Sequence, residues 1–254
     1  MGVDDAYALC TLVAGRAKSN LPLEAFEALG KDITVSPECF AGFLIPEYER
    51  AKRGERDAAD FAAAFGSEIL ADDKGRIEYT DLCFITGSGH HHFLGTMKGL
   101  CDVVTEDHIE DALFGQWERW KGLSMRWDPS DAAEYAFRWG DPSAEGASAV
   151  WGANLLAAHA LPLFPTHPAS KGLRTTGFRE VAPFPEFTWP VWVDAIGVDS
   201  VRSLLALSEL HDWENRIDHK ALGARGIAQV YRSPRVRIGQ GANFKVSFRP
   251  AKAV

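Results

Sequence analysis

The sequence predicts an α+β fold: a helical N-terminal region, then a small, mostly antiparallel sheet that ends in a C-terminal β-hairpin. Three observations support this prediction. Apolar residues recur at helical spacing through the Ala-rich residues 1–75. Residues 76–86 alternate in polarity with the period of a strand, and two strand-like segments joined by a Gly-rich turn close the chain. We therefore expect a helical region, residues 1–75, and an α+β domain, residues 76–254, in one compact chain.

The N-terminal region carries short helix signals. Pro22 is expected to open a helix that ends at Gly30, and Ser36-Pro37 has the form of an N-cap followed by Pro at the first helical position. Residues 47–57 carry charges of both signs. That pattern favours an exposed helix face with ion pairs between successive turns, and a contact surface is the alternative.

The predicted strand over residues 76–86 ends at a Gly-Ser-Gly turn. Helices are expected over residues 90–103 and 106–114, with Thr105 as the N-cap of the second. Further along, residues 148–160 form an apolar helix candidate that two following prolines end, and residues 199–207 form another. Residues 187–193 are aromatic and contain Pro190, so an edge strand is expected there.

All eight tryptophans lie between residues 117 and 213. Aromatic residues beside Pro and Gly usually pack as local core, and we favour that interpretation for any single tryptophan. The alternative is that some are platforms on which unpaired bases stack. The candidates for that role are Trp127, Trp139, Trp151 and Trp189.

The C-terminal segment is the clearest functional signal. Residues 216–254 hold nine Lys or Arg and one acid, a net charge of +8, whereas the whole chain carries −8. Such a reversal of sign at one terminus indicates a phosphate-rich partner. Strands are expected over residues 227–238 and 244–249, with Pro234 on an edge, so the charge lies on a folded hairpin. An acidic protein, or the acidic body of the chain itself, is the alternative partner. The predicted nucleic-acid-binding residues are Arg225, Arg232, Arg235, Arg237, Lys245 and Arg249.

A second candidate is the loop Gly87-Ser88-Gly89 with the histidine run that follows it. A strand–Gly-x-Gly–helix arrangement can present backbone N–H groups to a phosphate at a helix N-terminus. Three consecutive histidines cannot all reach one metal ion, because neighbouring side chains diverge on a helix and on a strand. The loop lacks the Gly-Lys-Ser/Thr of a P-loop, and His92 has no ligand one turn away.

Bulk properties narrow the function classes. No apolar run reaches the ~18–20 residues that span a bilayer, and the acidic start is unlike a signal peptide. We expect a cytoplasmic protein without a membrane partner, whose four cysteines (10, 39, 83 and 101) are reduced and buried. Known catalytic, metal and cofactor signatures are missing from the sequence, so we expect no enzyme activity, no bound metal and no cofactor. A metal- or phosphate-dependent enzyme that uses residues 87–92 is the alternative.

Several strings in residues 80–249 resemble a family of type I-U (also called I-G) CRISPR-associated proteins. The order of the strings carries the resemblance, and residues 1–75 lie outside it. The strings include Met125-Arg126-Trp127-Asp128-Pro129, Gly152-Ala153-Asn154-Leu155-Leu156, Leu173-Arg174-Thr175-Thr176-Gly177-Phe178 and Phe187-Thr188-Trp189-Pro190-Val191-Trp192.

The resemblance implies a non-catalytic subunit of a Cascade complex, the ribonucleoprotein that carries out CRISPR interference. The partners it implies are the CRISPR RNA, the target DNA, or both, and other Cascade subunits. In such complexes base pairing reads the target sequence, while the protein contacts the backbone. A role in target recognition is the first expectation, a subunit on the guide-RNA backbone is the second, and a scaffold that docks an acidic partner is a further alternative.

Overall fold

The computed structural model describes residues 11–17, 21–85, 91–129, 148–211, 217–240 and 243–254. It confirms the α+β class, with antiparallel strand pairs and a C-terminal hairpin. The helices within these ranges are α1 (residues 11–17), α2 (Leu23–Phe26), α3 (Pro37–Lys52), α4 (Asp57–Phe65), α5 (Phe93–Val103), α6 (Glu106–Phe114), α7 (Trp151–His159), α8 (Val198–Leu205), α9 (Ser208–His211) and α10 (His219–Gly223). The strands are β1 (Gly66–Ala71), β2 (Ile77–Tyr79), β3 (Trp120–Lys121), β4 (Ser148–Ala149), β5 (Thr166–Ala169), β6 (Gly172–Thr175), β7 (Phe178–Arg179), β8 (Glu186–Trp192), β9 (Ile227–Gln240), β10 (Asn243–Phe248) and β11 (Lys252–Ala253).

The main sheet has the strand order β10-β9-β8-β7, and β11 also pairs with β9. The predicted C-terminal strands are thus confirmed as β9 and β10. Pro234, predicted on an edge, instead lies inside the sheet: it pairs with Glu186 of β8, and its carbonyl accepts the Arg249 N–H. Strand β7 covers only the start of β8, at Glu186 and Phe187. Further along, at Pro190, the ladder partner in the described chain is β9 alone. Pro190 therefore lies on an edge, as predicted, where its missing N–H costs no ladder hydrogen bond.

The predicted boundary at residue 75 falls inside a β-hairpin. Strands β1 and β2 pair antiparallel, with Gly66 opposite Tyr79. Residues 66–71 are therefore a strand within the region predicted to be helical. The strand predicted over residues 76–86 is also shorter, because the chain turns after Tyr79. There the Thr80 hydroxyl accepts the Leu82 N–H at 3.2 Å, a local side-chain bond that competes with the sheet ladder.

The predicted helix starts are confirmed where a cap was visible in the sequence. Ser36 Oγ accepts the Cys39 N–H at 3.3 Å, and Pro37 is the first residue of α3. Thr105 caps α6, and His108 Nδ1 accepts the Thr105 N–H at 3.0 Å in the place that Glu occupies in most capping boxes.

Cys39 is exposed, contrary to prediction, because it lies on the solvent side of α3's first turn. Cys83 and Cys101 are buried, as predicted.

One large hydrophobic core joins the helical region to the sheet. Its centre is a group of phenylalanines from α2, α3, α4 and α5, in which Phe65 packs edge-on to Phe26 and to Phe93 at 5.1 and 6.2 Å. The core extends to the hairpin through Phe84, whose ring centroid lies 4.8 Å from that of Phe248. A smaller cluster, which includes Leu210, Leu222 and Val230, packs the C-terminal helices on β9. None of the helices in the described ranges has both the length and the apolar composition needed to cross a bilayer.

Helices α6 and α7 approach each other through Gly152. A Cβ at this position would overlap the His108 carbonyl, since it would lie 2.6 Å from its carbon. We expect Gly152→Ala to lower the free energy of unfolding by about 2–3 kcal/mol. The added methyl group would meet backbone atoms, which cannot rotate away from it as a side chain can. Gly42→Ala is the matched control: it lies in α3 with open space around its Cβ and should stabilise by about 0.5–1 kcal/mol through helix propensity. Urea denaturation of the three proteins measures both changes, and equal midpoints for Gly152→Ala and the parent chain would contradict the close approach.

Candidate nucleic-acid interface

The candidate interface is the β9–β10 hairpin, whose register decides which cations lie together. Arg237 pairs with Val246, and Lys245 pairs with Ile238. Alternate residues along a strand share a face, and so do paired residues across a ladder. Arg235 and Arg237 therefore share one face, as predicted, while Lys245 lies on the opposite one. The expected single stripe becomes a hairpin with basic side chains on both faces.

Arg235 is held by the protein's own groups. Its Nη1 lies 3.8 Å from Asp81 Oδ1, and its guanidinium carbon lies 5.4 Å from the centroid of the Phe84 ring. Burial raises the pKa of the Asp81 carboxyl, and Arg235 opposes that rise. The Nε atom of Arg235 is buried without a hydrogen-bond partner. This arginine anchors the base of the hairpin to the segment after β2, so it contributes little to an outer binding surface.

Arg232 does not belong to the surface, contrary to prediction. It is 4% exposed, and its Nη2 donates to the Leu210 carbonyl at 3.2 Å. Its backbone is central in the sheet, since Arg232 pairs with Thr188 of β8 on one side and Lys252 of β11 on the other. Helix α9 covers the side chain. A local sequence pattern cannot reveal this, because the helix that buries Arg232 comes from a different part of the chain.

Arg225 is exposed but lies apart from the hairpin. It precedes β9, at the opposite end of the strand from Arg237. Its Nη1 is 2.7 Å from Glu209 Oε1, and both side chains are about 40% exposed. A surface ion pair of this kind contributes between zero and about 1 kcal/mol, so it is a local contact between α9 and the turn before β9. The structure therefore removes Arg225 from the predicted stripe.

Four exposed cations remain at the C-terminal end of the protein. The sequence predicts three of them as nucleic-acid-binding residues. The fourth, Lys252 of β11, contributes to the net charge of the C-terminal segment but is not among the predicted binding residues. Residue 249 follows β10 directly, and its N–H donates to the Pro234 carbonyl at 2.9 Å, which fixes the chain between β10 and β11. We call this set the hairpin cations: Arg237, Lys245, Arg249 and Lys252.

The loop Gly87, Ser88 and Gly89 lies outside the described residues, but the helix that follows it is described. The first N–H groups of α5 already have partners: Leu94 and Gly95 both donate to the Lys31 carbonyl at 3.1 Å. Asp32 lies beside them, with its Oδ2 3.3 Å from His92 Nδ1. A phosphate at this helix N-terminus would have to compete with these groups.

Among the described residues around this helix start, burial sets the state of two ionisable side chains. Burial raises the pKa of the Asp32 carboxyl despite the nearby His92. Burial also raises the pKa of the Cys83 thiol well above its ordinary value, which keeps it protonated and unreactive. Within the described residues, no three His, Cys, Asp or Glu side chains come together as a metal site would require. The enzyme alternative therefore gains no support from this region.

The tryptophans divide between core and surface. Trp127 and Trp151 are partly buried, and their indole N–H groups donate to the carbonyls of Leu82 at 2.8 Å and Leu123 at 3.1 Å. Trp117 is 58% exposed. Trp189 stacks on Tyr231 across the β8–β9 ladder, with centroids 5.9 Å apart and ring planes 20° from parallel. Trp139 lies outside the described residues.

Comparison of the chain with protein-family models, with curated proteins and with solved structures found no match. The functional argument therefore rests on the residues and geometry of the chain itself. Within the described chain, the hairpin cations are the feature that agrees most closely with the charge reversal in the sequence.

The two arginines on one face of the hairpin are expected to differ in their effect on stability. Arg235→Ala should lower the free energy of unfolding by about 1–2 kcal/mol, because it removes the contact with Phe84 and leaves Asp81 half-buried without its cation. The exposed Arg237→Ala should change it by less than about 0.5 kcal/mol. Urea denaturation checks the pair; equal destabilisation by both would refute the division between anchor and surface.

Proposed function

We propose that this protein is a non-catalytic nucleic-acid-binding subunit of a CRISPR type I-U/I-G interference complex, Cascade, and contacts the backbone of guide RNA, target DNA or both. The observation that carries the proposal is the set of hairpin cations, Arg237, Lys245, Arg249 and Lys252, all exposed on a folded edge. They belong to a segment of net charge +8 in a chain of net charge −8. Its place of action under this proposal is the cytoplasm, beside other Cascade subunits.

The charge distribution suits a subunit that binds at one edge. Phosphate contacts by Lys and Arg supply affinity and orientation, and they do not read base sequence. Residues 1–215 carry a net charge of −16, which repels nucleic acid from the rest of the surface. Phosphates are thereby confined to the hairpin. This agrees with a complex in which base pairing to the guide selects the target.

The order of the strings in residues 80–249 supports the choice of complex. They resemble the type I-U family, and several of them build the surroundings of the hairpin. The string that begins at Phe187 forms β8, the neighbour of β9, and the string around Trp127 packs against β10 through the Ser247 hydroxyl, which donates to the Asp128 carbonyl at 3.3 Å. The residues that carry the resemblance thus lie where the proposed interface is built.

Charge reversal of the hairpin tests the proposal. In Arg237→Glu/Lys245→Glu, binding of guide-length single-stranded RNA and of duplex DNA should weaken at least tenfold. The slope of log affinity against log salt concentration should become shallower by roughly 1.4–1.8, which is the change expected when two phosphate contacts are lost. Fluorescence anisotropy between about 50 and 200 mM salt measures both quantities, first on the full chain and then on the complex purified with its neighbouring gene products.

The matched control is Lys98→Glu/Lys171→Glu, which makes the same change in net charge at two exposed lysines, in α5 and in the β5–β6 turn. It should bind almost as well as the parent chain. Equal weakening by both double variants would show that overall charge, not the hairpin, governs binding. Binding of neither nucleic acid, with an acidic protein co-purified through the hairpin instead, would overturn the proposal in favour of a scaffold.

A further inference from the structure

A cleft of about 490 Å³ opens beside the base of the hairpin. Its volume is in the range of small-molecule and cofactor sites. Its walls are almost entirely apolar, with rings from β8, from β10, from the segment after β3 and from the segment between α7 and β5. The aromatic residues that line it are Trp127, Phe164, Phe187, Trp189, Trp192 and Phe248.

One wall of the cleft is a row of nearly parallel rings on the sheet. Trp189 lies between Tyr231 and Phe187, with ring planes 20° and 31° from parallel and centroid distances of 5.9 and 5.6 Å. Phe187 continues the row to Phe248 at 5.7 Å and 34°. A β-bulge shifts the register immediately before Trp192, and bulges beside binding sites commonly redirect a side chain. Three rings of this row, Phe187, Trp189 and Phe248, line the cleft, and an aromatic wall suits a planar aromatic ligand.

The opposite wall is held in place by backbone contacts. The Trp127 indole N–H donates to the Leu82 carbonyl at 2.8 Å, which fixes the ring at the cleft. The preceding residue, Arg126, has a φ of 61°, the left-handed conformation that non-glycine residues rarely adopt. Strained backbone of this kind persists where surrounding structure enforces it, and it concentrates at binding sites.

The cleft and Arg237 lie on the same face of the sheet, whereas Lys245 lies on the opposite face. Along β9, alternation places Tyr231, Ser233, Arg235 and Arg237 on one face, and Ser233 lines the cleft. Arg237 is four residues from Ser233, about 13 Å along the strand. A single strand of nucleic acid with a phosphate at Arg237 thus passes within a few nucleotides of the cleft mouth.

We infer that the aromatic cleft binds an unpaired base of the nucleic acid that the hairpin cations hold by its phosphates. The inference rests on the proposed function and deepens it, because it requires a single-stranded ligand. Stacking on aromatic side chains does not depend on base identity, since every base has a π face. The near-absence of polar groups in the cleft agrees with stacking without hydrogen-bond readout. A lipid tail or a small apolar ligand would gain nothing from the adjacent cations.

The test compares oligothymidylate with an abasic oligonucleotide of the same length and phosphate count. The full-length protein should bind oligothymidylate roughly 5- to 100-fold more tightly, the range expected for stacking of one base. Trp192→Ala, at the half-buried end of β8, should bind the two ligands equally. Trp117→Ala, which removes a 58% exposed tryptophan that does not line the cleft, should keep the full preference. Circular dichroism establishes whether each variant is folded. If Trp192→Ala does not fold, the comparison of the two oligonucleotides on the parent chain still tests the inference.

The outcomes separate this inference from the proposed function. Equal binding of both oligonucleotides by the parent chain, with loss of both in Arg237→Glu/Lys245→Glu, would overturn the cleft assignment and leave the hairpin assignment standing. Failure to bind either oligonucleotide while guide-length RNA or duplex DNA still binds would overturn the cleft assignment alone, and failure to bind any of these nucleic acids would overturn both. Loss of the preference in Trp117→Ala as well as in Trp192→Ala would place base contact elsewhere and overturn the cleft assignment.

Discussion

Strand β9 (Ile227–Gln240) is the constraint on which the rest of the C-terminal structure depends. It pairs with β8 along its first half, with β10 along its second, and with β11 at Arg232. Val230, near its start, belongs to the small hydrophobic cluster under the C-terminal helices. Further along, β10 brings Phe248 into the large core. Since every ladder fixes side-chain direction with period two, one register decides which arginines are buried and which rings share a face.

Burial gives chemically identical side chains on β9 different roles. Arg232 is enclosed under α9, and Arg235 lies against Phe84 and Asp81. A guanidinium out of water needs partners within the protein, so these two arginines secure tertiary structure. Arg237, by contrast, is exposed. The exposed basic surface is therefore smaller than the charge count suggests: Arg237 and Lys245 lie toward the turn of the hairpin, and Arg249 and Lys252 lie near its base.

The aromatic residues connect stability with the proposed binding role. Phe248 packs on Phe84 in the core and also lines the cleft, while Trp189 stacks on Tyr231 and faces the cleft from the same wall. Rings fixed by core packing lose little further freedom when a ligand stacks on them. Under the proposed function, a rigid wall of this kind beside a charged edge would give a single strand two separate contacts, one to phosphate and one to a base.

The sequence by itself determined the features that depend on local chemistry. Ser36-Pro37 and Thr105 predicted helix starts because capping involves residues three or four apart, and alternation within β9 and β10 predicted the hairpin and the shared face of Arg235 and Arg237. Only the tertiary structure decided that Thr80 ends β2 early, that the boundary expected at residue 75 lies within a hairpin, and that α9 buries Arg232. Each of these depends on groups that are distant in sequence or on competition between a side chain and the ladder. The cleft has the same origin, since its walls come from β8, β10 and the segment around Trp127, which become neighbours only when the sheet packs on the core.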